Sequence, residues 1–444
     1  MKLRPYQIKA TRRALKASDE AKVLVVSPGG SGKTAMIASL VRRLKWAGKR
    51  VLVVAHRREI IDQCYAHIRA FKISEASIGV IMGGDTRVNP GARIQLASVA
   101  TMRWREKPEA DVVIVDEAHH IVAPTYMALL EAYPDAKVFG FTATPYRLDS
   151  KGLGDVFEVL INAAKPSYLI KNNWMAKPRI ITAPDQFLPN LDSLTIKYGE
   201  YVTMELETRV AQEPLIGNIV DHWCEHAEGR TTLVFAVSIH HSERIVARFR
   251  DRGIEAAHLD GSTSTSRRRA MLRKLASGEI KVLSSCMLLS EGYDLPHCDA
   301  VVLARPTKSL ALSQQQAGRA MRYNAGISPI ILDHARHYLM FGLPYADRDY
   351  NLLDTQEAAS GKAPAKACPV CGAVHHTAAK YCDCGHEFSD DERESPGETE
   401  DHLDELTSRK FDEMKERLVE YAKLHNIDRA WVDMVSKQWL SQHA

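Results

Sequence analysis

The sequence has no long apolar run. None of its stretches approaches the roughly 20 residues that span a bilayer. The first residues, MKLRPYQIKATRRALK, lack the apolar core of a secretory leader. The expected setting is therefore the cytoplasm, with no membrane partner. Charge of one sign is missing as well: 59 Lys and Arg stand against 55 Asp and Glu, a formal net charge of +4. That balance excludes a strongly basic or acidic scaffold and still permits a polyanion along a local stripe. Cysteine is sparse through most of the chain. Cys64, Cys224, Cys286 and Cys298 are scattered and read as small buried side chains. The other four, Cys368, Cys371, Cys382 and Cys384, are bunched, and in a reducing compartment bunching reads as metal rather than disulfide.

What is present is alternation. At 444 residues the chain is too long for one hydrophobic core, so two or three domains are expected. VLVV (23–26), VLVVA (51–55), IQLAS (94–98), VVIVD (112–116) and VFGFTA (138–143) have the apolar, β-branched character of buried parallel strands. Amphipathic stretches such as TAMIASLVRRLKWAG lie between several of them, which predicts a doubly wound α/β domain over 1–150. A second set begins near residue 231, with TTLVFAV, EAAHLDG, KVLSSC and AVVLARP as strands. RAMLRKLASG and SLALSQQQAGRAMR are its helices. The less regular piece from 151 reads as a connection plus part of a second domain ending near 350. Beyond it come a linker (351–365), the cysteine module (366–389), an acidic apolar-poor run (390–402) and two helical segments (403–444). No short repeat is evident.

Four motifs carry chemistry. SPGGSGKT (27–34) sits between a strand and a helix, the context of a phosphate loop. Its glycines turn backbone N–H groups towards phosphate oxygens, and the helix N-terminus adds positive potential. Gly30, Ser31 and Gly32 would line the phosphates, Lys33 would reach the β and γ positions and Thr34 would serve magnesium. Ser27 stands where the strict pattern has glycine. DEAH (116–119) ends the fourth of the strands above. Asp116 is placed for magnesium and Glu117 for the attacking water. His119 and the hydroxyls of Thr142 and Thr144 in TAT (142–144) are candidates for linking nucleotide state to the neighbouring domain. In QQAGRAMR (315–322), Arg319 and Arg322 are three apart on a predicted helix and share a face. By itself this is a basic surface helix. Opposite a phosphate loop it becomes a source of arginine fingers.

As an ordered set these motifs resemble the superfamily 2 helicases of the DEAH/DEAD type, and within them the bacterial and phage branch related to XPB-type and restriction-enzyme motor subunits. The resemblance covers about residues 1–345. LRPYQ (3–7) is similar to the adenine-sensing element, which makes Tyr6 and Gln7 candidates for the base. AHRRE (55–59), ASVAT (97–101), VFAV (234–237) and SEGYDLP (290–296) resemble further motifs of the family, the last adding Gly292 and Asp294 to the nucleotide set. The family implies two RecA-like parallel-sheet domains in tandem, ATP and Mg2+ in the cleft between them, and Gln315 as part of the coupling. It also implies nucleic acid across their top, bound largely through phosphate and sugar. Candidate contacts are His56, Arg57, Arg58 and Thr101 in the first domain and Ser262, Thr263 and Ser285 in the second. The run Arg267, Arg268, Arg269 is either a phosphate contact or a solvated helix face.

CPVCG (368–372) and YCDCGHEF (381–388) resemble the two knuckles of a zinc ribbon, with four thiolates completing a closed site for Zn2+. The second knuckle is one residue short of Cys-x-x-Cys, so His375, His376 or His386 stands as an alternative to Cys382. The expected activity is ATP-dependent DNA helicase or translocase, the DNA preference coming from the family branch. Its rivals are an RNA helicase, a zinc-containing nucleic-acid binding protein with a degenerate ATPase, and the motor subunit of a nuclease complex.

Overall fold

Short β-branched runs buried on both faces make parallel sheets, and here they make two. The computed structural model describes residues 1–147, 151–197, 199–286, 288–290, 298–352 and 365–389. The first sheet is built from β1 (Val23–Val26), β2 (Val51–Ala55), β3 (Ile78–Ile81), β4 (Ile94–Ser98), β5 (Val112–Asp116), β6 (Lys137–Thr142) and β7 (Val159–Asn162). Its order is β3-β4-β2-β5-β6-β1-β7, and every pairing is parallel. Two of these strands are not among the runs picked from the sequence. β3 makes the DEAH strand the fifth in chain order. β7 pairs with β1 and carries the first lobe past the expected boundary at residue 150.

The second sheet takes β8 (Arg179–Thr182) from the connecting piece. After a small hairpin of β9 (Ile196–Lys197) and β10 (Glu200–Tyr201) come β11 (Thr232–Ala236), β12 (Ala256–Leu259), β13 (Val282–Cys286), β14 (Ala300–Leu303) and β15 (Ile330–Asp333). The order is β12-β13-β11-β14-β15-β8, again parallel throughout. The edge strand β8 is covered. A ribbon of β16 (Ala365–Ala367) and β17 (Val374–His376) lies beside it, and the Gly372 carbonyl accepts from the Thr182 N–H at 2.9 Å. Ile181 and Ala373 form an antiparallel bridge at the same edge. The cysteine module is thereby fixed to the second lobe and satisfies part of an open sheet edge. Met1–Glu387 form one compact unit.

The 390–402 and 403–444 segments, most of the linker, Gly292 and Asp294 lie outside the described residues. Among the described residues no helix is long and apolar enough to cross a membrane.

One position in the first lobe admits no side chain. A Cβ on Gly140 in β6 would lie 2.3 Å from Phe157 Cζ and 2.9 Å from both Ala118 Cβ and Leu24 Cδ1. Phe157 is fully enclosed, so it cannot swing into solvent. Gly140→Ala is expected to lower the stability of this lobe by about 1–3 kcal/mol through overpacking, read as a lower urea midpoint. An unchanged midpoint would show that the core yields freely there.

Candidate functional site

The C-terminal ends of the first sheet's strands converge on one cleft. β1 runs into the loop 27–32, whose Ser27 N–H donates to the Thr142 carbonyl of neighbouring β6 at 2.9 Å. The loop closes on itself through Ser31, whose hydroxyl lies 2.6 Å from that of Ser27 and donates to the Pro28 carbonyl. Gly30 and Gly32 have φ of 77° and 87°, the left-handed conformation that favours glycine. The helix Lys33–Trp46 starts immediately after, with its first-turn N–H groups facing the loop. Thr34 is on that first turn and lines the cleft.

β5 delivers Asp116 and Glu117 to the same place. Asp116 is buried and its carboxylate accepts from the Glu117 N–H at 2.9 Å. Glu117 adopts φ 52° and ψ 53°. This left-handed turn aims its carboxylate at the loop, and a non-glycine residue held there signals strain at a working site. Lys33 Nζ donates to both carboxylate oxygens of Glu117, at 3.0 and 3.1 Å. Side-chain exposures of 13% and 14% keep this pair only weakly screened by solvent.

The first helix, Pro5–Ala17, closes the loop from the other side. Gln7 Nε2 donates to the Ser31 carbonyl at 3.0 Å while Gln7 Oε1 accepts from the Arg4 N–H at 2.9 Å. The Tyr6 hydroxyl also donates to Ser31 O. Burial raises the Tyr6 phenol, which keeps it a donor. Arg4 lies over the ring of Trp174 at 5.5 Å, and Tyr6 packs on the same ring at 5.4 Å. Trp174, Arg4 and Tyr323 line the cleft and are absent from the sequence-based set. Arg4 lies within the LRPYQ segment already singled out, and Trp174 is a tryptophan in the otherwise irregular connection.

The second lobe reaches the phosphate loop through residues 315–322. The helix here is Leu310–Ala317 and stops before the arginines, which corrects the expectation that Arg319 and Arg322 share a helical face. The chain turns after Gly318, and Arg322 lies in a bridge with Met175. Gly318, a poor helix former, follows the last helical residue, and the turn packs on the phosphate loop: a Cβ on Gly29 would sit 3.6 Å from Gly318 Cα, and one on Gly30 would sit 3.1 Å from Arg322 Cγ. The turn, rather than a helix face, presents Arg319 and Arg322. Both line a cleft of about 320 Å³ together with Gly30, Gly32, Lys33, Thr34, Asp116, Glu117 and Gln315.

His119 stands between the lobes. Its Nδ1 is 3.2 Å from Thr142 Oγ1 and 3.5 Å from Glu117 Oε2, and its Nε2 is 3.5 Å from Gln315 Nε2. Thr142 also donates to the Thr144 carbonyl at 2.8 Å, so the TAT segment, His119 and Gln315 form one chain of contacts. The arrangement ties the Glu117 carboxylate of one lobe to Gln315 of the other.

The candidate nucleic-acid residues divide. Ala55, at the end of β2, is in register with Ser98 at the end of β4. His56, Arg57, Arg58 and Thr101 are therefore neighbours at one sheet end. Arg57 Nη1 donates across to the Leu288 carbonyl at 3.1 Å, and Arg58 pairs with Asp85 at 3.3 Å. In the second lobe Ser262 and Thr263 both donate to Asp260 Oδ1. These bonds, Ser262's foremost, hold the Asp260 carboxyl at about 2. Ser285 is fully buried and its hydroxyl accepts from the Leu289 N–H, so it presents no surface to a strand. Arg268 is not a solvated side chain: it forms an ion pair with Glu59 of the first lobe at 2.8 Å.

The cysteine module brings its four thiols together, with every ligand atom within 4.8 Å of the others. Cys368 and Cys384 sulfurs are 3.7 Å apart, and those of Cys371 and Cys382 are 3.5 Å apart. A tetrahedral site with Zn–S bonds of roughly 2.3 Å places sulfurs about 3.8 Å apart, so the set fits zinc. Cys382 is in the cluster despite the short knuckle. His375 Nε2 lies 3.2 Å from the Cys382 sulfur, in the position of a supporting partner rather than a replacement. Burial raises Cys382 to about 12, whereas the His386 backbone N–H lowers Cys384 to about 7.

Comparison with known proteins agrees with this geometry. Residues 1–147 match the family described as type III restriction enzyme, res subunit, and residues 214–324 match the helicase conserved C-terminal domain. A 51.5 kDa protein of a Lactococcus phage is 33% identical over 385 residues, 83% of this chain and 79% of that protein. The mitochondrial ATP-dependent helicase irc3 of Schizosaccharomyces pombe is 31% identical over 73% of this chain, which spans 56% of that relative's length. The DNA 3'-5' translocase XPB2 of Sulfurisphaera tokodaii is 22% identical over 72% of this chain and 79% of its own. Among solved structures, a fragment of an HsdR subunit of a type I restriction enzyme from Vibrio vulnificus shares the fold. Its TM-score is 0.56 at 20% identity, over 74% of this chain and 63% of that one.

Proposed function

Because the chain belongs to helicase superfamily 2, related to the XPB-type helicases and the restriction-enzyme motor subunits, we propose that it is a DNA helicase or duplex translocase. It is an ATP-hydrolysing enzyme, and nucleic acid is its partner. The observation that carries the proposal is the shared cleft, in which Lys33 and Glu117 of one lobe face Arg319 and Arg322 of the other.

Each residue has a role that follows from its place. Backbone N–H groups of the loop and Lys33 hold the phosphates. Thr34 and Asp116 would hold magnesium, which when bound with the nucleotide draws charge from the phosphate oxygens. Glu117 grips Lys33 here. Phosphate binding takes the ammonium for itself and frees the carboxylate. Glu117 then accepts the proton of a water attacking the γ-phosphorus as the bond to the bridging oxygen breaks. Arg319 and Arg322 meet the charge that develops on the leaving group. Arg4 and Trp174 line the cleft and offer a wall for the base, and the buried Tyr6 and Gln7 behind them link it to the loop through the Ser31 carbonyl. His119 passes the state of Glu117 to Gln315, so the lobes respond to hydrolysis and move against the strand held at the sheet ends by His56, Arg57, Arg58 and Thr101.

DNA is favoured over RNA by the relative named as a DNA translocase. Zinc in the cysteine module would be structural: four cysteines leave no open coordination position. Its loss would free the ribbon that covers β8.

Two measurements follow. ATP turnover on a panel of single-stranded, duplex, forked and four-way DNA and matched RNA should rise more than about tenfold with DNA and fall by at least about 100-fold in Glu117→Gln. Stimulation by RNA alone would identify an RNA motor, and turnover unaffected by Glu117→Gln would contradict the assignment of the base. Metal analysis of the purified chain should find zinc, and Cys371→Ser with Cys384→Ser should remove it and lower the melting temperature of the second lobe. A chain that melts identically with and without these substitutions would separate the cysteines from the fold.

A further inference from the structure

Two exposed tryptophans differ in where the fold puts them. Trp46 ends the helix Lys33–Trp46 and lies on the side from which β2 starts, away from the cleft. Trp104 follows the short helix Val99–Met102 at the outgoing end of β4, beside Thr101 and the 56–58 segment. It is 78% exposed, an unusual position for the largest apolar side chain.

The segment carrying Trp104 is anchored at both ends. Val99 and Met102 are buried in the first lobe, the Trp104 N–H donates to the Thr101 carbonyl at 3.1 Å, and the Pro108 carbonyl accepts from the Tyr133 hydroxyl at 2.8 Å. Between these anchors Arg103, Trp104, Arg105, Glu106 and Lys107 are all exposed. The Arg103 guanidinium lies 4.9 Å from the indole centroid, a cation–π contact that orients the ring. Three cations against one carboxylate make the rim basic.

We propose that Trp104 is a stacking platform for a base of single-stranded nucleic acid, with Arg103, Arg105 and Lys107 receiving the adjoining phosphates. The chemistry suits the partner: every base offers a π-face, so an indole grips a strand without reading its sequence. Cationic neighbours supply the backbone attraction. Placement next to Thr101 gives a strand leaving the sheet ends a fixed aromatic surface at the edge of the first lobe. The inference rests on the nucleic-acid motor reading above and adds to it a residue that none of the family motifs contains.

The test compares binding of a labelled single DNA strand by the full chain, Trp104→Ala, Trp104→Phe and, as an exposed-tryptophan control, Trp46→Ala. Trp104→Ala should weaken binding by about tenfold or more, Trp104→Phe by about threefold at most, and Trp46→Ala should match the parent. Repeating the titration with a strand whose sugars lack bases should abolish the difference between the parent and Trp104→Ala, which a merely structural tryptophan would not do. Equal affinity of the parent and Trp104→Ala for the ordinary strand overturns the proposal, as does a deficit that persists on the baseless strand or a loss of self-association without loss of DNA. Failure of the parent chain to bind any nucleic acid would instead overturn the motor reading beneath it.

Discussion

The backbone of the phosphate loop packs against the turn after Leu310–Ala317, with Gly29, Gly30 and Gly318 at the meeting point. A Cβ on Gly318 would come within 3.5 Å of Gly29 Cα and 2.8 Å of the Gln314 carbonyl. This contact brings Arg322 over Gly30 and places both arginines in the cleft of Lys33. The helix ends just before it, at Ala317. Two sheets of the same parallel type, each sending its functional loops from strand C-termini, meet in one cleft where these loops touch.

The rest of the machinery reports on that contact. Glu117, in its left-handed turn, touches Lys33 and lies within reach of His119. His119 in turn reaches Thr142 of its own lobe and Gln315 of the other. Lys33 and the lobe boundary are thus connected through Glu117, His119 and Gln315. Arg57 to Leu288 and Arg268 to Glu59 join the lobes a second time, away from the Lys33 cleft. They would have to be exchanged if the lobes part, which sets a physical limit on how freely the cleft opens.

Much of this was legible because buried parallel strands have a loud signature. The runs at 23–26, 51–55, 94–98 and 112–116 coincide with β1, β2, β4 and β5. β3 is interrupted by Gly79, and β7, β8 and β15 each carry at least one polar residue within four, two of them in the connecting piece where the lobes exchange chain. The phosphate loop and DEAH sequence announced themselves because their chemistry fixes residue types at short spacing. Other features depend on which chain segments meet in space. The Arg268–Glu59 pair joins residues 209 positions apart. The burial of Ser285 follows from its position on a central strand flanked on both sides. Trp174 reaches the cleft only because the connection folds back over the first helix. The four cysteines were readable by clustering, whereas the docking of their ribbon on β8 was not.

The most direct measurement takes the cleft itself. Arg319→Ala and Arg322→Ala are to be compared with the parent chain for equilibrium binding of a fluorescent ATP analogue and for single-turnover ATP hydrolysis at saturating DNA. If guanidinium groups from the second lobe complete the site, nucleotide affinity stays within a few-fold while hydrolysis falls by about 10³-fold or more in at least one variant. Hydrolysis at the parental rate in both variants would contradict the account, since the two lobes would then touch without sharing the reaction.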